Sequence, residues 1–502
     1  MHDLYLAIDV GTGSIRAALV DLTGKIIAIC HKEHEQIVPQ HGWSEQRPQD
    51  WWDGTIASVQ DVLTKVENAA DRVACICSCG QMHGSVLIDD DGNLTRAEAL
   101  LWNDKRTQPQ VDKFATRINS TDLLPITANM PATAWPAFKL LWLQENDPVA
   151  IESASTILMP KDWINYKLTG ERAQDFTEGS LSYLMDSKTK TWSEQLIKLT
   201  GIPKRLLPEI KNPGDMLGTL SQKTASLLGL PGGIPVLVGA GDYPMALLGS
   251  GVSKPGLGSD VTGTSSIITL IHESPVINDE VSNLATVEGN WGSFTLLDAG
   301  GDAVRWARRA FHGNRRDYAE VAELATQAEA GSNGLFFLPY LSGERFGNHS
   351  NSRAQFFGLT ATHDLPDLHR AVMEGVAFSV RQKLDAVEGG AGRPDRIVAA
   401  SGGAKSELWL SIKASMYGVP YLVPEELECG VVGAAILMAV ASGNKSDIDD
   451  ATRGMVRYGQ QFDPIPAWAE LYDEMMPVYT DLYQSSQQFY DRIDALPLIG
   501  KP

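Results

Sequence analysis

The 502-residue chain is poor in positive charge. Its 42 Lys and Arg residues stand against 62 Asp and Glu residues, so the formal net charge is −20. Proteins bind nucleic acids and anionic membranes through clustered Lys and Arg that neutralise phosphates. The composition therefore argues against both kinds of partner, and any phosphate site must be built locally from a few residues.

Long apolar runs are also missing. The longest, residues 430–441, is too short to cross a bilayer, and no basic segment followed by an apolar one opens the chain. We expect a cytoplasmic protein without a membrane partner. With 43% hydrophobic residues, the chain has material for a large core and a length typical of two to four domains.

Cysteine is scarce, with five residues in the whole chain. This scarcity is typical of a protein from a reducing compartment. Cys75, Cys77 and Cys79 alternate, as they would on one face of a buried strand, while Cys30 and Cys429 stand alone. Because a CxCxC run lacks the usual zinc-ligand spacing and a matching second half, a buried strand is favoured over a metal cluster.

Two familiar nucleotide-binding motifs are absent. The dinucleotide fingerprint GxGxxG would need glycine where Arg16 stands, and the turn before it is followed by a strand, residues 15–20, where that motif needs a helix. GxxxxGK[ST] occurs nowhere in the chain. These absences disfavour a nicotinamide oxidoreductase and a P-loop enzyme.

A Gly/Thr/Ser turn between two strands is what the N-terminus does contain. The strand at residues 4–10 runs into Gly11-Thr12-Gly13-Ser14, and a third strand at residues 26–30 completes a β-meander. We expect the two glycines to adopt conformations closed to other residues, so that N–H groups and hydroxyls converge on anionic oxygens. Asp9 could hold a metal ion or its waters; a plain hairpin turn is the alternative.

Polar clusters follow other predicted strands. Residues 73–79 lead into Gly80-Gln81-Met82-His83-Gly84, and residues 234–239 lead into Gly241-Asp242. Ligands of open α/β sheets bind at such strand ends. His83 is a ligand or a satisfied structural histidine, and Asp242 is a general base or a turn former. The helix at residues 136–143 is expected to pack in the core.

The turn at the start of the chain returns near its middle. Residues 260–271 repeat the character of residues 9–20 with one residue slipped in the turn. Short motifs can match by chance, but the matching strand afterwards favours a duplicated domain, with each copy presenting its loop to a shared cleft. Glycine turns at residues 300–301, 402–403 and 430 precede helices and suit a nucleotide base and phosphates.

In order and spacing, these motifs resemble the FGGY carbohydrate kinases, within which the xylulose kinases are most similar. The resemblance implies an α/β fold with two actin-like (ribonuclease H-like) domains, residues 1–246 and 247–502, and an active-site cleft between them. The segments that carry it span residues 9–16, 80–84, 101–106, 239–242, 263–265, 354–374 and 402–406.

The same resemblance implies site residues and substrates. It implies ATP with Mg²⁺ as cofactors, the ketopentose D-xylulose as substrate, and a possible homodimer; another ketose or polyol such as ribulose, erythrulose or a glycerol-like acceptor is the alternative. An actin-like ATPase is a candidate from another class. The implied residues are Asp242 as general base; Thr12, Gly13, Ser14, Arg16 and Thr264 for phosphates; Asp9 for the metal; Gly301, Arg305, Gly402, Gly403 and Ser406 for adenosine; and Met82, His83, Trp102, Asp104, Asp242 and Tyr243 for the sugar.

Two departures from the family pattern concern the sugar. Xylulose kinases usually carry Asn after the catalytic Asp, and this chain has Tyr243. The loop at residues 343–350 also strays from the GERxPH pattern. Both put the identity of the sugar in question and leave the kinase assignment intact.

Overall fold

The computed structural model describes residues 2–313, 315–344 and 350–496, so the departure at residues 345–349 lies outside the described residues. The strands are β1 Leu4–Val10, β2 Ser14–Asp21, β3 Ile26–Glu33, β4 Glu45–Gln46, β5 Val73–Gly80, β6 Val86–Ile88, β7 Ala99–Leu100, β8 Thr156–Leu158, β9 Ala173–Asp175, β10 Met185–Asp186, β11 Thr191–Trp192, β12 Glu209–Lys211, β13 Met216–Thr219, β14 Pro235–Leu237, β15 Ala240–Gly241, β16 Leu257–Thr262, β17 Ser266–His272, β18 Ser282–Ala285, β19 Trp291–Leu297, β20 Phe336–Leu338, β21 Gln355–Phe357, β22 Arg396–Ala400, β23 Tyr421–Pro424 and β24 Tyr458–Phe462.

Helices connect and cover these strands. They are α1 Pro48–Leu63, α2 Gln108–Arg117, α3 Leu124–Thr127, α4 Pro136–Asn146, α5 Pro148–Ser153, α6 Pro160–Thr169, α7 Phe176–Ser180, α8 Glu194–Thr200, α9 Gln222–Leu228, α10 Asp242–Gly249, α11 Gly301–His312, α12 Tyr318–Ala325, α13 Leu365–Glu388, α14 Glu407–Tyr417, α15 Cys429–Ala441, α16 Ile448–Met455 and α17 Pro466–Asp494. In the described part of the chain, no helix combines the length and the apolar character that crossing a bilayer requires.

Packing divides the chain into two compact units, each built from separate segments. The division predicted at residues 246 and 247 falls inside α10, and as a statement about domains it stays a prediction. The first unit comprises Met1–Ser253, Glu273–Gly292 and Glu428–Arg457, and the second unit comprises Lys254–His272, Ser293–Leu427 and Tyr458–Pro502.

The first unit is organised around a mixed sheet in the order β13-β14-β5-β1-β2-β3. β1, β2 and β3 are consecutive antiparallel neighbours, which confirms the predicted meander. β1 and β15 both pair with β5 in parallel, so their carboxyl ends lie at the same edge of the sheet. This edge carries Asp9 at the end of β1 and Asp242 after β15.

The second unit repeats this arrangement. Its strands follow the order β24-β23-β22-β16-β17-β19, with β16 antiparallel to β17 and parallel to β22. The predicted one-residue slip is also present: residues 11–14 connect the paired Val10 and Ile15, whereas residues 263–265 connect the paired Thr262 and Ser266. The duplication read from the sequence is therefore visible in strand order and register.

Both faces of the first sheet are buried, so β1 alternates between two cores. Leu6 and Ile8 belong to a cluster that includes residues of α1 and α6. Tyr5 and Ala7 belong to another, which contains the three alternating cysteines of β5 and the apolar helix α15. The prediction of a buried cysteine strand is confirmed, since Cys75, Cys77 and Cys79 are buried with free thiols.

Helices α10 and α15 pack so closely that glycine is required on both. A Cβ built on Gly249 would overlap the carbonyl oxygen of Cys429, and a Cβ on Gly433 would overlap that of Met245. On the same helix, a Cβ on Gly430 would meet nothing nearer than the Cys79 sulfur at 3.6 Å. The two glycines of α15 therefore differ in the room they have for a side chain.

Gly433→Ala is expected to destabilise the protein because the added methyl group forces α15 away from α10. Overpacking of this kind costs ~1–3 kcal/mol, more than the ~1 kcal/mol that alanine gains over glycine in a helix. Gly430→Ala, its matched control, is expected to keep or raise stability. Thermal unfolding followed by circular dichroism measures both; equal midpoints for the two variants would contradict the packing described here.

Candidate active site

The first hairpin turn is held by its carbonyl groups. The His34 ring bonds to the Gly11 carbonyl at 3.1 Å, the His34 amide donates to the Gly13 carbonyl at 3.2 Å, and the Gln46 side chain donates to the Thr12 carbonyl at 2.7 Å. Within the described residues, the N–H groups of Thr12 and Gly13 have no protein acceptor. The N–H groups of the turn are therefore available to donate to an anion, whereas its carbonyl groups already accept hydrogen bonds from the protein.

The predicted reason for the two glycines is wrong. Neither Gly11 nor Gly13 has a positive φ, so neither adopts a conformation closed to other residues. Gly11 is favoured for a different reason, because a Cβ there would lie 3.0 Å from the Ser14 carbonyl oxygen, a contact tighter than most. Nothing lies within 4 Å of a Cβ on Gly13. The turn depends on close approach at Gly11 and on the ties to its carbonyls.

Asp9 and Arg16 face each other across this hairpin. Arg16 Nη1 donates to Asp9 Oδ2 at 2.9 Å, and its Nε lies 3.9 Å from Glu428. Asp9 is buried, and its Oδ1 has no hydrogen-bond partner among the described residues. Burial raises the pKa of Asp9 above its ordinary value, although the Arg16 charge opposes the rise. One carboxylate oxygen is therefore available to a ligand.

Asp242 is the first residue of α10, which the sequence did not predict. Gly239, just before β15, has a φ of +70°, and a Cβ there would overlap the Ser78 carbonyl oxygen. Asp242 Oδ1 accepts the Tyr243 amide at 2.7 Å. Burial, followed by the negative charge of Asp9, raises the pKa of Asp242 from 3.8 to about 7. A carboxyl group in this state accepts and releases a proton near neutral pH.

The sequence-predicted sugar residues have different environments. Met82 and His83 are buried, and a Cβ on Gly241 would lie 2.7 Å from Met82 Cγ, so Met82 packs against the strand that precedes Asp242. Trp102 is exposed, and its indole N–H donates to the Thr12 hydroxyl at 3.1 Å. The structure therefore places Met82 against the strand before Asp242 and bonds Trp102 to the first hairpin turn.

Asp104 differs from the other predicted sugar residues. It is fully buried, with its oxygens bonded to the Ser44 amide at 2.6 Å and to the Arg106 guanidinium at 2.7 Å. Its assignment to the sugar site stays a prediction. In the structure, it anchors the segment that carries Trp102.

Two buried charged residues near His83 were missed from the sequence. Glu178 on α7 accepts the His83 amide at 3.4 Å, and Lys139 on α4 donates to the His83 carbonyl at 2.6 Å. Next to Glu178, the Thr177 hydroxyl accepts the Gly241 amide at 3.1 Å. The one available signal was a lysine among the apolar residues 136–143, a helix that was predicted to pack in the core and does so.

The second unit contains a cavity of about 500 Å³ beside its own hairpin. One wall is apolar and includes Tyr318, Met373 and Trp409. Gly301 lies so close to the hairpin that a Cβ there would overlap the Gly263 carbonyl oxygen, and the Asp302 amide donates to the Thr264 carbonyl at 3.0 Å. The structure collects six predicted nucleotide residues at this cavity: Thr264, Gly301, Arg305, Gly402, Gly403 and Ser406.

Two of those six residues also have partners in the protein. Arg305 Nε donates to Asp302 at 2.6 Å, and Ser406 caps α14 by accepting the Trp409 amide at 3.4 Å. Gly403 lies against Thr262, because a Cβ added to Gly403 would be only 2.7 Å from the Thr262 Cβ. The cavity is thus formed by the hairpin, two glycine turns and the helix ends that follow them.

Comparison with known proteins agrees with this architecture. The model of the FGGY family of carbohydrate kinases, N-terminal domain, matches residues 4–249, and its C-terminal domain matches residues 259–442. A xylulose kinase of Lactococcus lactis is 30% identical over 96% of this chain and 97% of its own length.

Solved structures give the same result. The xylulose kinase of Rhodospirillum rubrum superposes with a TM-score of 0.91 at 28% identity, covering 97% of this chain and 100% of that one. A gluconate kinase of Lactobacillus acidophilus reaches a TM-score of 0.90 at 25% identity, covering 98% and 100%.

The two family models match the two halves of the duplicated α/β architecture, and both are models of carbohydrate kinases. More specifically, the chain belongs to the FGGY family. The resemblance drawn from the sequence motifs is therefore confirmed over nearly the whole chain.

Gly301→Ala is expected to weaken ADP binding about tenfold or more, because the methyl group displaces the Gly263 carbonyl and with it the hairpin. Overpacking costs ~1–3 kcal/mol, and 1.4 kcal/mol is a tenfold change in affinity. Isothermal titration with ADP measures this. The control, Gly459→Ala on β24, has 3.7 Å to the nearest atom and should bind ADP as wild type does. Equal affinity in Gly301→Ala would show that the hairpin does not contact the nucleotide.

Proposed function

We propose that this protein transfers the γ-phosphoryl group of ATP to a hydroxyl group of D-xylulose. The choice of sugar is supported by the names of similar proteins, which include xylulose kinases among relatives and solved structures. The chemistry rests on one observation, the Asp242 carboxyl group with a pKa of about 7 at the end of the strand pair β5 and β15. A general base works best when its pKa lies near the working pH.

Asp242 is proposed to accept the proton of the attacking hydroxyl group. As the sugar oxygen forms its bond to the γ-phosphorus, the bond from that phosphorus to the bridging oxygen of ADP breaks, and the hydroxyl proton moves to the carboxylate. Phosphoryl transfer of this kind depends mostly on positioning and charge stabilisation. Arg16 supplies a positive charge beside the first hairpin, where Asp9 orients it.

The two hairpins are proposed to bind the phosphates, because carbonyl groups of each hairpin accept hydrogen bonds from the protein and so do not face an anion as free acceptors. Arg305, together with the glycine turns around the second-unit cavity, is proposed to bind adenosine against the apolar wall of Tyr318 and Trp409. The proposed phosphate ligands are Thr12, Gly13, Ser14, Arg16 and Thr264, and the proposed adenosine residues are Gly301, Arg305, Gly402, Gly403 and Ser406.

Asp9 fits a magnesium ion held through water. Its Oδ1 is buried without a partner, and Mg²⁺ prefers oxygen ligands while keeping several waters. The described residues contain no group of three or more His, Cys, Asp or Glu side chains placed to hold a metal. When bound, Mg²⁺ neutralises charge on the phosphates during transfer.

The sugar is proposed to contact Met82, His83, Trp102, Tyr243 and the base Asp242. Asp104 is proposed to support them, because its oxygens are already bonded to Ser44 and Arg106. Sites that bind hydroxyl groups reject analogues lacking them, since buried polar groups are then left unpaired. A neutral, multiply hydroxylated acceptor suits this set.

Asp242→Asn is expected to lower the kcat for D-xylulose by ~10²–10⁴-fold, the usual contribution of a general base, while the Kd for ADP changes less than twofold. Because the raised pKa leaves the wild-type base protonated below pH 7, kcat/KM should rise with pH up to about 7 and then level off; the variant should lack this rise. A coupled assay for ADP release measures both. Turnover within a few-fold of wild type would refute Asp242 as the base, and sugar-independent ADP release would favour an ATPase.

Tyr243→Asn restores the residue usual in xylulose kinases and is expected to shift preference among acceptors toward D-xylulose. A site built to bond a hydroxyl group can discriminate by ~10⁴-fold when the partner is missing. kcat/KM is measured for both proteins with D-xylulose, D-ribulose, L-erythrulose, glycerol and gluconate. An identical ranking would show that Tyr243 does not set specificity.

A further inference from the structure

His83 has an unusual backbone conformation. Its φ is +69°, in the left-handed region that residues with a side chain seldom adopt. Such a conformation persists only where the surroundings enforce it, and it is often found at ligand sites. Its buried Nδ1 has no hydrogen-bond partner among the described residues, so the ring retains a group that can bond to a ligand.

Two buried charged side chains hold the peptide groups on both sides of His83. On one side, Glu178 Oε2 accepts the His83 N–H at 3.4 Å. On the other, Lys139 Nζ donates to the His83 carbonyl at 2.6 Å. The imidazole also packs edge-on against Trp135, with ring centroids 5.2 Å apart. The backbone and the ring of His83 are both restrained.

Lys139 is an expensive residue to bury for packing alone. It is fully buried on α4, and the carboxyl groups of Asp104 and Glu178 act on its ammonium group through charge, without a hydrogen bond to it. Its acceptors are the carbonyls of His83 and, at 3.5 Å, Leu100. Burial lowers the pKa of Lys139 to about 7 against the opposing charges of Asp104 and Glu178. A methionine would fill this space without the cost of desolvating a charge.

Glu178 carries a similar cost. It is fully buried, and its Oε1 has no hydrogen-bond partner in the described part of the chain. Burial raises the pKa of Glu178 well above its ordinary value, and the nearby charges of Asp175 and Asp162 add to the rise. What Glu178 does contact is the His83 amide. Glu178 and Lys139 therefore bond to the two peptide groups that flank His83.

We propose that Lys139 and Glu178 are positioning residues that hold His83 in its left-handed conformation and so orient its imidazole toward the sugar. This inference rests on the proposed function, in which His83 contacts the sugar. Neither residue touches the substrate; both act through His83. Their removal is therefore expected to weaken sugar binding while leaving the nucleotide unaffected.

The first experiment compares Lys139→Met with a matched control. Lys139→Met should raise the KM for the sugar at least tenfold and change the KM for ATP less than twofold. Lys190→Met is the control, because Lys190 also donates to a backbone carbonyl, that of Gly289, elsewhere in the first unit. The control should change neither constant. A sugar KM within twofold of wild type in Lys139→Met would overturn the proposal.

Glu178 supplies an independent pair of variants, which also decides the question should Lys139→Met not fold. Glu178→Leu removes the acceptor for the His83 amide and should raise the sugar KM. Glu178→Gln keeps an oxygen that can accept the His83 amide, so its KM for the sugar should lie within about twofold of the wild-type value. Equal values for Leu and Gln would show that the hydrogen bond to His83 is irrelevant.

Whether Lys139 acts through His83 is tested in a protein that already carries a His83 substitution. Asn tolerates the left-handed region, so His83→Asn keeps the backbone conformation and removes the imidazole. If Lys139 acts through that ring, adding Lys139→Met to His83→Asn should change the sugar KM less than twofold. A full additional effect would mean that Lys139 acts on the fold in general.

A measurement without turnover separates this inference from the proposed function. In protein labelled with ¹⁵N-histidine, the His83 ring lies beside Trp135, and its resonance should move in Lys139→Met and stay in place in Lys190→Met. If no sugar in the panel is phosphorylated, the proposed function fails while this result still decides the positioning. An unmoved His83 resonance in Lys139→Met would overturn the inference.

Discussion

The burial of two neighbouring carboxyl groups, Asp9 and Asp242, is the constraint on which the proposed chemistry depends. β1 and β15 both run parallel to β5, and this pairing places a carboxyl group at the end of each strand. Burial raises the pKa of both groups; Arg16 opposes the rise at Asp9, whereas the negative charge of Asp9 adds to the rise at Asp242. The pairing of these three strands thus places the charge that adds to burial in raising the pKa of the proposed base.

The two copies of the hairpin have diverged in how they use their acidic residue. In the first copy, Asp9 keeps one buried oxygen without a partner. In the second, Asp260 is bonded to Lys413 and Tyr421 at 2.8 Å each and to the Thr262 hydroxyl at 2.6 Å. The carboxylate of one copy is available for chemistry, and that of the other has become part of the core. The two copies thus share the loop but differ in whether the carboxylate before it already has protein partners.

Local turn chemistry explains what could be predicted from the sequence. Both hairpins, the slip between them and the glycine turns before α11 and α14 depend on neighbouring residues, so their patterns are visible in the chain. Lys139 and Glu178 are 56 and 95 residues from His83, and no local pattern joins them. The predicted conformations of Gly11 and Gly13 were wrong, because the presence of glycine does not by itself tell whether a position needs a positive φ or only the absence of a Cβ.

The first unit takes one of its layers from late in the chain, and this bears on the order in which the protein is made. Residues 428–457 belong to that unit, and α15 covers the sheet face formed by Tyr5, Ala7 and Cys77. At synthesis rates of ~5–20 residues per second, roughly ten to forty seconds separate residue 253 from residue 457. During that interval α10 can cover part of this apolar sheet face, but the part that α15 covers stays exposed, which is when a chaperone would have a surface to bind.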